Sequence, residues 1–186
     1  MKNDPMLLEL LKNRRSIRKY QQTAVEPEKI DKLIEAALRS PSSRGLNPWE
    51  FVVVTDPIII EKLSTAKPHG ASFLKKAPLA IVICADTTRS DVWIEDTSIA
   101  TLILHLTAAD LGLGSCWIQL RLRSYNEELS SEAYVRQLLD LKKHIAVLAI
   151  MAIGYPAEEK APRAVTTLAF EKIHYGHFGV KQPDEK

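Results

Sequence analysis

The sequence predicts an α+β fold, a mixed sheet with helices around it. Three observations point there. Short apolar, β-branched runs recur between segments of helical periodicity. Several of the connections are too short for a clean βαβ series, which counts against a doubly wound parallel sheet. One long segment, 91–111, is apolar on nearly every side after an acidic first turn, so it needs cover all round, from its own chain or from a partner.

The elements follow in order. Asp4-Pro5 supplies a cap residue and a proline at the first helical position, and "MLLELLKN" continues that helix. Glu26-Pro27 opens a second helix, with Ile30, Leu33, Ile34, Ala37 and Leu38 on one face and Pro41 as its stop. "SPSSRGLNPW", Ser40 to Trp49, is dense in turn formers and reads as a loop. "FVVVT" is a strand, Pro57 to about Ala66 a helix, and "KPHGAS" a second loop. "APLAIVICAD" has no polar face and reads as a buried strand. Gly112 ends the long helix 91–111, and "LGSCWIQL" returns as a strand. A helix from about Ser131 to Leu139 precedes the strand Ile145 to Ile153, after which "GYPAEEKAPR" leaves as a polar loop. The last 25 or so residues lack strong periodicity and read as an arm that needs another surface.

Composition bounds the function. A length of 186 residues suits one domain, and 46% hydrophobic residues suffice for a core. A net charge of +2 is too weak for a nucleic-acid field, and 6% aromatics leave few stacking platforms, so no nucleic-acid partner is expected. Cys84 and Cys116 cannot build a disulfide framework, and no Cys/His cluster suggests a metal. The start, Met1-Lys2-Asn3-Asp4-Pro5, lacks the apolar core of a signal peptide, and the longest apolar run, nine residues from Ile145 to Ile153, is too short to span a bilayer. A cytoplasmic protein with no membrane partner is the expectation.

Familiar motifs are missing. Gly112-Leu113-Gly114 carries Trp117 where a third glycine belongs, and it follows a helix rather than a strand, so the dinucleotide fingerprint fails. No P-loop and no G-x-S-x-G elbow occurs. His105 falls mid-helix among leucines and reads as a satisfied core histidine; Cys116 reads as a small buried filler. What stands out is "RRSIRKY". Charge runs usually face water. This one follows a helix end and precedes an extended segment, so its side chains can converge; arginine forks match phosphate oxygens, and Ser16 adds a hydroxyl. Lys160 and Arg163, in the loop after the last strand, are a second cationic pair that could meet the same anion.

"RRSIRKY", "SPSSRGLNPWEFVVV", "LGLGSCWIQL" and "AIGYPAEEKAPR" occur in that order and together resemble the nitroreductase family of FMN-dependent oxidoreductases, over about residues 8 to 165. The resemblance implies one FMN-binding domain spanning 1–186, with a central mixed, mainly antiparallel sheet, in an intertwined homodimer with FMN at the subunit interface. The arm at about 164–186 would wrap the partner. Arg14, Arg15, Ser16 and Arg18 would lie at the FMN phosphate and ribityl chain, with Lys160 and Arg163 approaching the same phosphate. Pro41, Ser42 and Ser43 would reach the flavin from the other subunit. Trp117, Ile118, Gln119 and Leu120 would line the ring system, with the backbone N–H of Gln119 or Leu120 near its N5, and the Lys67–Gly70 loop, including His69, would touch its pyrimidine edge. Gly45 stands where the family commonly has Asn, and Asn47 where Gln is common, which removes a polar contact near the flavin.

The implied activity is hydride transfer from NADH or NADPH through FMN to a nitroaromatic, quinone or similar electrophilic acceptor by ping-pong turnover, with no catalytic side chain of its own. Two other readings stand beside it: a flavin-binding protein with another role (dehalogenation, flavin breakdown or sensing), and a non-enzymatic anion or nucleic-acid module built on Arg14 to Lys19.

Overall fold

The computed structural model describes residues 6–181; the expected helix start at Asp4-Pro5 lies outside them. Four strands form one sheet: β1 (Trp49–Val54), β2 (Leu79–Asp86), β3 (Gly114–Gln119) and β4 (Ile145–Gly154). Their order is β1-β2-β4-β3, and every neighbouring pair is antiparallel. The parallel component is a bridge between Ser16 and Ser115, which lays the "RRSIRKY" stretch beside the outer edge of β3. The helices are α1 (Met6–Asn13), α2 (Pro27–Leu38), α3 (Pro57–Ser64), α4 (Trp93–Asp110) and α5 (Ser131–Leu138).

The two central strands explain why β2 and β4 read as unbroken apolar runs: both of their faces are covered. Leu79, Ile81, Ile83, Leu148 and Met151 pack with Leu33 of α2 and Leu104 of α4. Ala80, Val82, Cys84, Ile118 and Ile150 pack with Ile60 and Leu63 of α3 and Val135 of α5. Side chains alternate along a strand, so β3 divides between the two layers. Ile118 and Leu120 belong to the α3/α5 layer, whereas Trp117 packs in the α4 layer.

Local chemistry sets the ends. Asp56 accepts from the Ile58 N–H at 2.8 Å and Pro57 opens α3; Ser130 accepts from the Ala133 N–H at 3.1 Å at the start of α5. β1 begins at Trp49, two residues earlier than the pattern indicates, because Trp49 pairs with Ala85 across the sheet. The long helix is not enclosed by its own chain. Asp96, Thr97, Ala100, Thr101, Leu104, His105 and Ala108 are buried, while Ile99 and Leu102 are exposed at 41% and 50%. Residues 155–181 are irregular apart from short 3-10 turns at Val165–Thr167 and Phe170–Lys172.

Gly114 makes the approach of "RRSIRKY" to β3 possible. A Cβ there would sit 2.8 Å from both Cβ and Cγ2 of Ile17, whose N–H donates to the Ser115 carbonyl at 3.0 Å. The obstructing Cβ is tied to the backbone, so Gly114→Ala must push the Arg14–Tyr20 stretch off the sheet. We expect a stability loss of about 1–3 kcal/mol, typical of overpacking, read as a lower urea midpoint. An unchanged midpoint would show that the stretch yields freely.

Candidate anion and flavin site

Both ends of the chain meet at one groove. Arg14 and Arg15 emerge where α1 stops, and Arg163 arrives from the loop after β4, its N–H donating to the Lys12 carbonyl at 3.0 Å. Arg15 also donates to the Ala161 carbonyl. The groove, of about 700 Å³, is lined by Leu11, Arg14, Arg15, Pro162, Arg163, Ala164, Thr167 and Leu168. Three guanidinium groups and no carboxylate face it. Burial, and then the charges of Arg15 and Arg163, hold the Arg14 guanidinium below its ordinary pKa, the signature of crowded cations lacking a counter-ion.

A carboxylate does organise the backbone nearby. Glu158 accepts from the Arg18 N–H at 2.6 Å and the Lys19 N–H at 3.3 Å, and the first of these bonds holds its carboxyl below the usual range. Lys160 is committed: its Nζ donates to the Ser16 carbonyl at 2.7 Å and lies 3.4 Å from Glu158. It lines a crevice shared with Arg14 and Arg15, beside the Arg163 groove rather than in it. Tyr20 locks the far end of the stretch, donating toward the carbonyls of Ile17 at 2.5 Å and Ala152 at 3.2 Å; burial raises its phenol pKa.

Arg14 has a fixed partner. Its Nη1 lies 2.6 Å from Nε2 of His105 on α4, and the other ring nitrogen of His105 meets the Ser115 hydroxyl on β3. Guanidinium only donates, so His105 must accept at Nε2 and carry its proton at Nδ1. Burial first, and the Arg14 charge second, push the imidazole down to about 4. The ring is satisfied, as expected for a core histidine, and it is also wired to the arginine cluster.

The rest of β3 supplies a wall. Ser115 bonds outward to Ile17, so alternation turns the backbone of Trp117 and Gln119 to the same open edge. Leu120 is different: its N–H donates to the Leu148 carbonyl at 3.1 Å, and its side chain is fully buried, as is that of Ile118. Leu120 is therefore not available as the N–H donor expected near a flavin N5, which leaves Gln119. Trp117 Nε1 donates to Gln119 Oε1 at 2.9 Å, and Gln119 Nε2 donates to the Arg121 carbonyl at 3.1 Å, so the Gln119 amide is held in place. Cys116 Sγ donates toward the Trp117 carbonyl at 3.7 Å; burial raises its thiol pKa against the smaller pull of the Arg18 and Lys160 charges, which makes it an inert filler. Lys67 is half-buried, and desolvation followed by the charge of Arg123 lowers its pKa. His69 is exposed in the same loop.

The Pro41–Ser43 loop lies elsewhere. The Ser43 N–H donates to Asp96 Oδ1 at 2.8 Å, Ser90 donates to the other oxygen of Asp96 at 3.1 Å, and Ser42 and Asn47 bond each other. Asp96 and His105 are nine residues apart on α4, about 13 Å along its axis. Within one chain the loop thus sits about 13 Å along α4 from the Arg14 contact. Gly45 has φ +65° and its neighbours Arg44 and Asn47 are also left-handed. Glycine and asparagine adopt that conformation most readily, so glycine in place of the family's usual Asn preserves the turn and loses only the side chain.

A nitroreductase-family profile matches residues 11–155. The chain belongs to the nitroreductase family. An FMN-dependent nitroreductase of Clostridium difficile R20291 superposes with a TM-score of 0.91 at 48% identity, over 92% of this chain and 99% of that one. A chain of Methanothermobacter thermautotrophicus provisionally named NADH dehydrogenase/NAD(P)H nitroreductase is 38% identical over 160 residues, 84% of this chain and 81% of that one. The FMN reductase [NAD(P)H] of Bacillus subtilis is 28% identical, over 84% of this chain and 68% of its own. Among the described residues, no His/Cys/Asp/Glu group could hold a metal ion, and no helix is long and apolar enough to cross a membrane.

Of the residues singled out from sequence, the fold gathers Arg14, Arg15 and Arg163 at one groove, with Lys160 in the adjoining crevice, whereas the Arg18 guanidinium lies 5.8 Å from the centroid of the Phe73 ring. The fold keeps Pro41, Ser42 and Ser43 apart from the groove. Sequence reasoning missed the structural roles of His105 and Glu158. His105 is 91 residues from Arg14, and Glu158, although two residues from Lys160, is 140 from Arg18, whose N–H donates to it.

Proposed function

We propose that this chain is an FMN-dependent NAD(P)H oxidoreductase acting on nitroaromatics, quinones or similar electrophiles, with donor and acceptor using one site in turn. The observation that carries the reading is the groove where Arg14, Arg15 and Arg163 face one another with no acid among the lining. Such a donor set fits a phosphate, which takes arginine forks and relieves their mutual repulsion. FMN, when bound, supplies the hydride-accepting and hydride-donating chemistry that no side chain here can.

The protein's own residues bind and orient. Arg14, Arg15 and Arg163 hold the phosphate, with the Ser16 hydroxyl beside them. The outward Gln119 N–H is the backbone donor open to the ring system, and Lys67 brings a cation to a partly dry site, where its field acts strongly. Trp117 and Gln119 form the wall against which a planar group can rest.

A homodimer completes the site in this reading. Met6, Leu7, Leu8 and Leu11 of α1, Ile99 and Leu102 of α4, and Leu168, Phe170 and Phe178 of the arm are all exposed in one chain. Leu8, Leu11 and Leu168 also line one shared apolar cleft, and exposed apolar surface of this kind marks an interaction face. A second copy would cover it and bring its own Pro41–Ser43 loop to the flavin.

Purified protein is expected to be yellow with flavin absorption, to bleach on anaerobic titration with NADH or NADPH, and to sediment at twice the chain mass. Steady-state rates with a quinone acceptor should give parallel double-reciprocal lines. Colourless protein that refuses added FMN would end the reading.

A further inference from the structure

Building on the FMN reading, we propose that His105 is a positioning residue, whose neutral ring holds the Arg14 guanidinium in place to grip the flavin phosphate. The line runs from the core to the groove. Ser115 is buried, its backbone fixed by β3 pairing and by the Ile17 N–H, and its hydroxyl meets Nδ1 of His105. Nε2 of His105 then accepts from Arg14 at 2.6 Å. With both nitrogens engaged, the ring cannot turn, and its acceptor stays aimed at the groove wall.

The residue type matters. Arg14, Arg15 and Arg163 repel one another, so an untethered Arg14 would swing toward water. A carboxylate could hold it, but would neutralise it and compete with phosphate. A neutral imidazole tethers one N–H and leaves the full charge and the other donors to the anion. The companion arginines have different anchors: Arg15 donates to the Ala161 carbonyl, and Arg163 is placed by its backbone N–H on the Lys12 carbonyl.

Parallel titrations of the full chain with FMN and with riboflavin, which lacks the phosphate, test this. His105→Leu should weaken FMN about tenfold, the usual scale for one hydrogen bond to a charged group, with riboflavin unchanged. His105→Gln, whose amide oxygen can stand near the Nε2 position, should recover most of the loss. In an Arg14→Ala background, His105→Leu should add nothing. Should the leucine variant fail to fold, imidazole nitrogen NMR of the unaltered protein at neutral pH still decides: a neutral ring protonated at Nδ1 is expected. Equal loss for FMN and riboflavin, persistence of the effect without Arg14, FMN binding unchanged in His105→Leu, or a cationic or Nε2-protonated ring would each overturn the proposal. Unaltered protein that binds riboflavin as tightly as FMN would instead sink the phosphate reading on which it rests.

Discussion

Replacing Arg14 and Arg163 together by alanine lowers FMN affinity by roughly 10²- to 10⁴-fold, because each removes a charge-assisted contact worth about 1.5–3 kcal/mol. The two residues face one groove from opposite parts of the chain. The reduction should fall on FMN and spare riboflavin, and added salt should shrink the difference between the variant and the unaltered protein. The double variant relieves the repulsion among Arg14, Arg15 and Arg163 but leaves the buried His105 Nε2 without its donor, so in the absence of flavin it should lose no more than about 1–3 kcal/mol of stability. Flavin fluorescence titration gives the affinity and urea unfolding the stability. Retained FMN affinity would show that the phosphate is held somewhere other than this groove.

Acid unfolding carries the second large effect. His105 titrates near 4 in the fold, against about 6.5 in the unfolded chain. The unfolded state therefore binds the extra proton between those values, and stability falls as pH drops through that window. The sign follows from linkage: stability rises with pH wherever the unfolded chain holds more protons. The expected loss from this group is about 2 kcal/mol between pH 7 and pH 5. The charge facing the ring is Arg14, with Arg15 and Arg163 behind it; its other partner is the uncharged Ser115. Half-buried carboxylates with lowered values, such as Asp86 and Glu158, add their own losses only at lower pH. His105→Gln should flatten the profile above pH 5, seen as urea midpoints at pH 7, 6 and 5 without added flavin. Identical slopes for the two proteins would remove His105 as the acid-sensitive group.

Much of the fold is legible locally. The prolines opening α2 and α3 and the fully apolar runs of β2 and β4 act within a few residues, and each appears where the pattern places it; the caps at Asp56 and Ser130 work over the same short range. The long helix is a partial case. Its sequence shows apolar character all round, but only the fold reveals which side the chain covers and that Ile99 and Leu102 are left open. For β3, the motif groups Trp117 to Leu120 as one lining, yet strand alternation sends Ile118 and Leu120 into the core and turns the Gln119 N–H to the open edge.

By itself, the sequence determined the α+β elements, the apolar core strands and the family, since periodicity, capping and motif order are written along the chain. The tertiary structure alone decided that Arg14, Arg15 and Arg163 share a groove, that His105 tethers Arg14 across 91 residues, and that Lys160 is bound to the Ser16 carbonyl. The physical reason is range. Propensity and hydrogen-bonded caps reach a few residues, whereas the meeting of chain ends depends on strand order β1-β2-β4-β3 and on Gly114 letting a distant segment lie against the sheet edge.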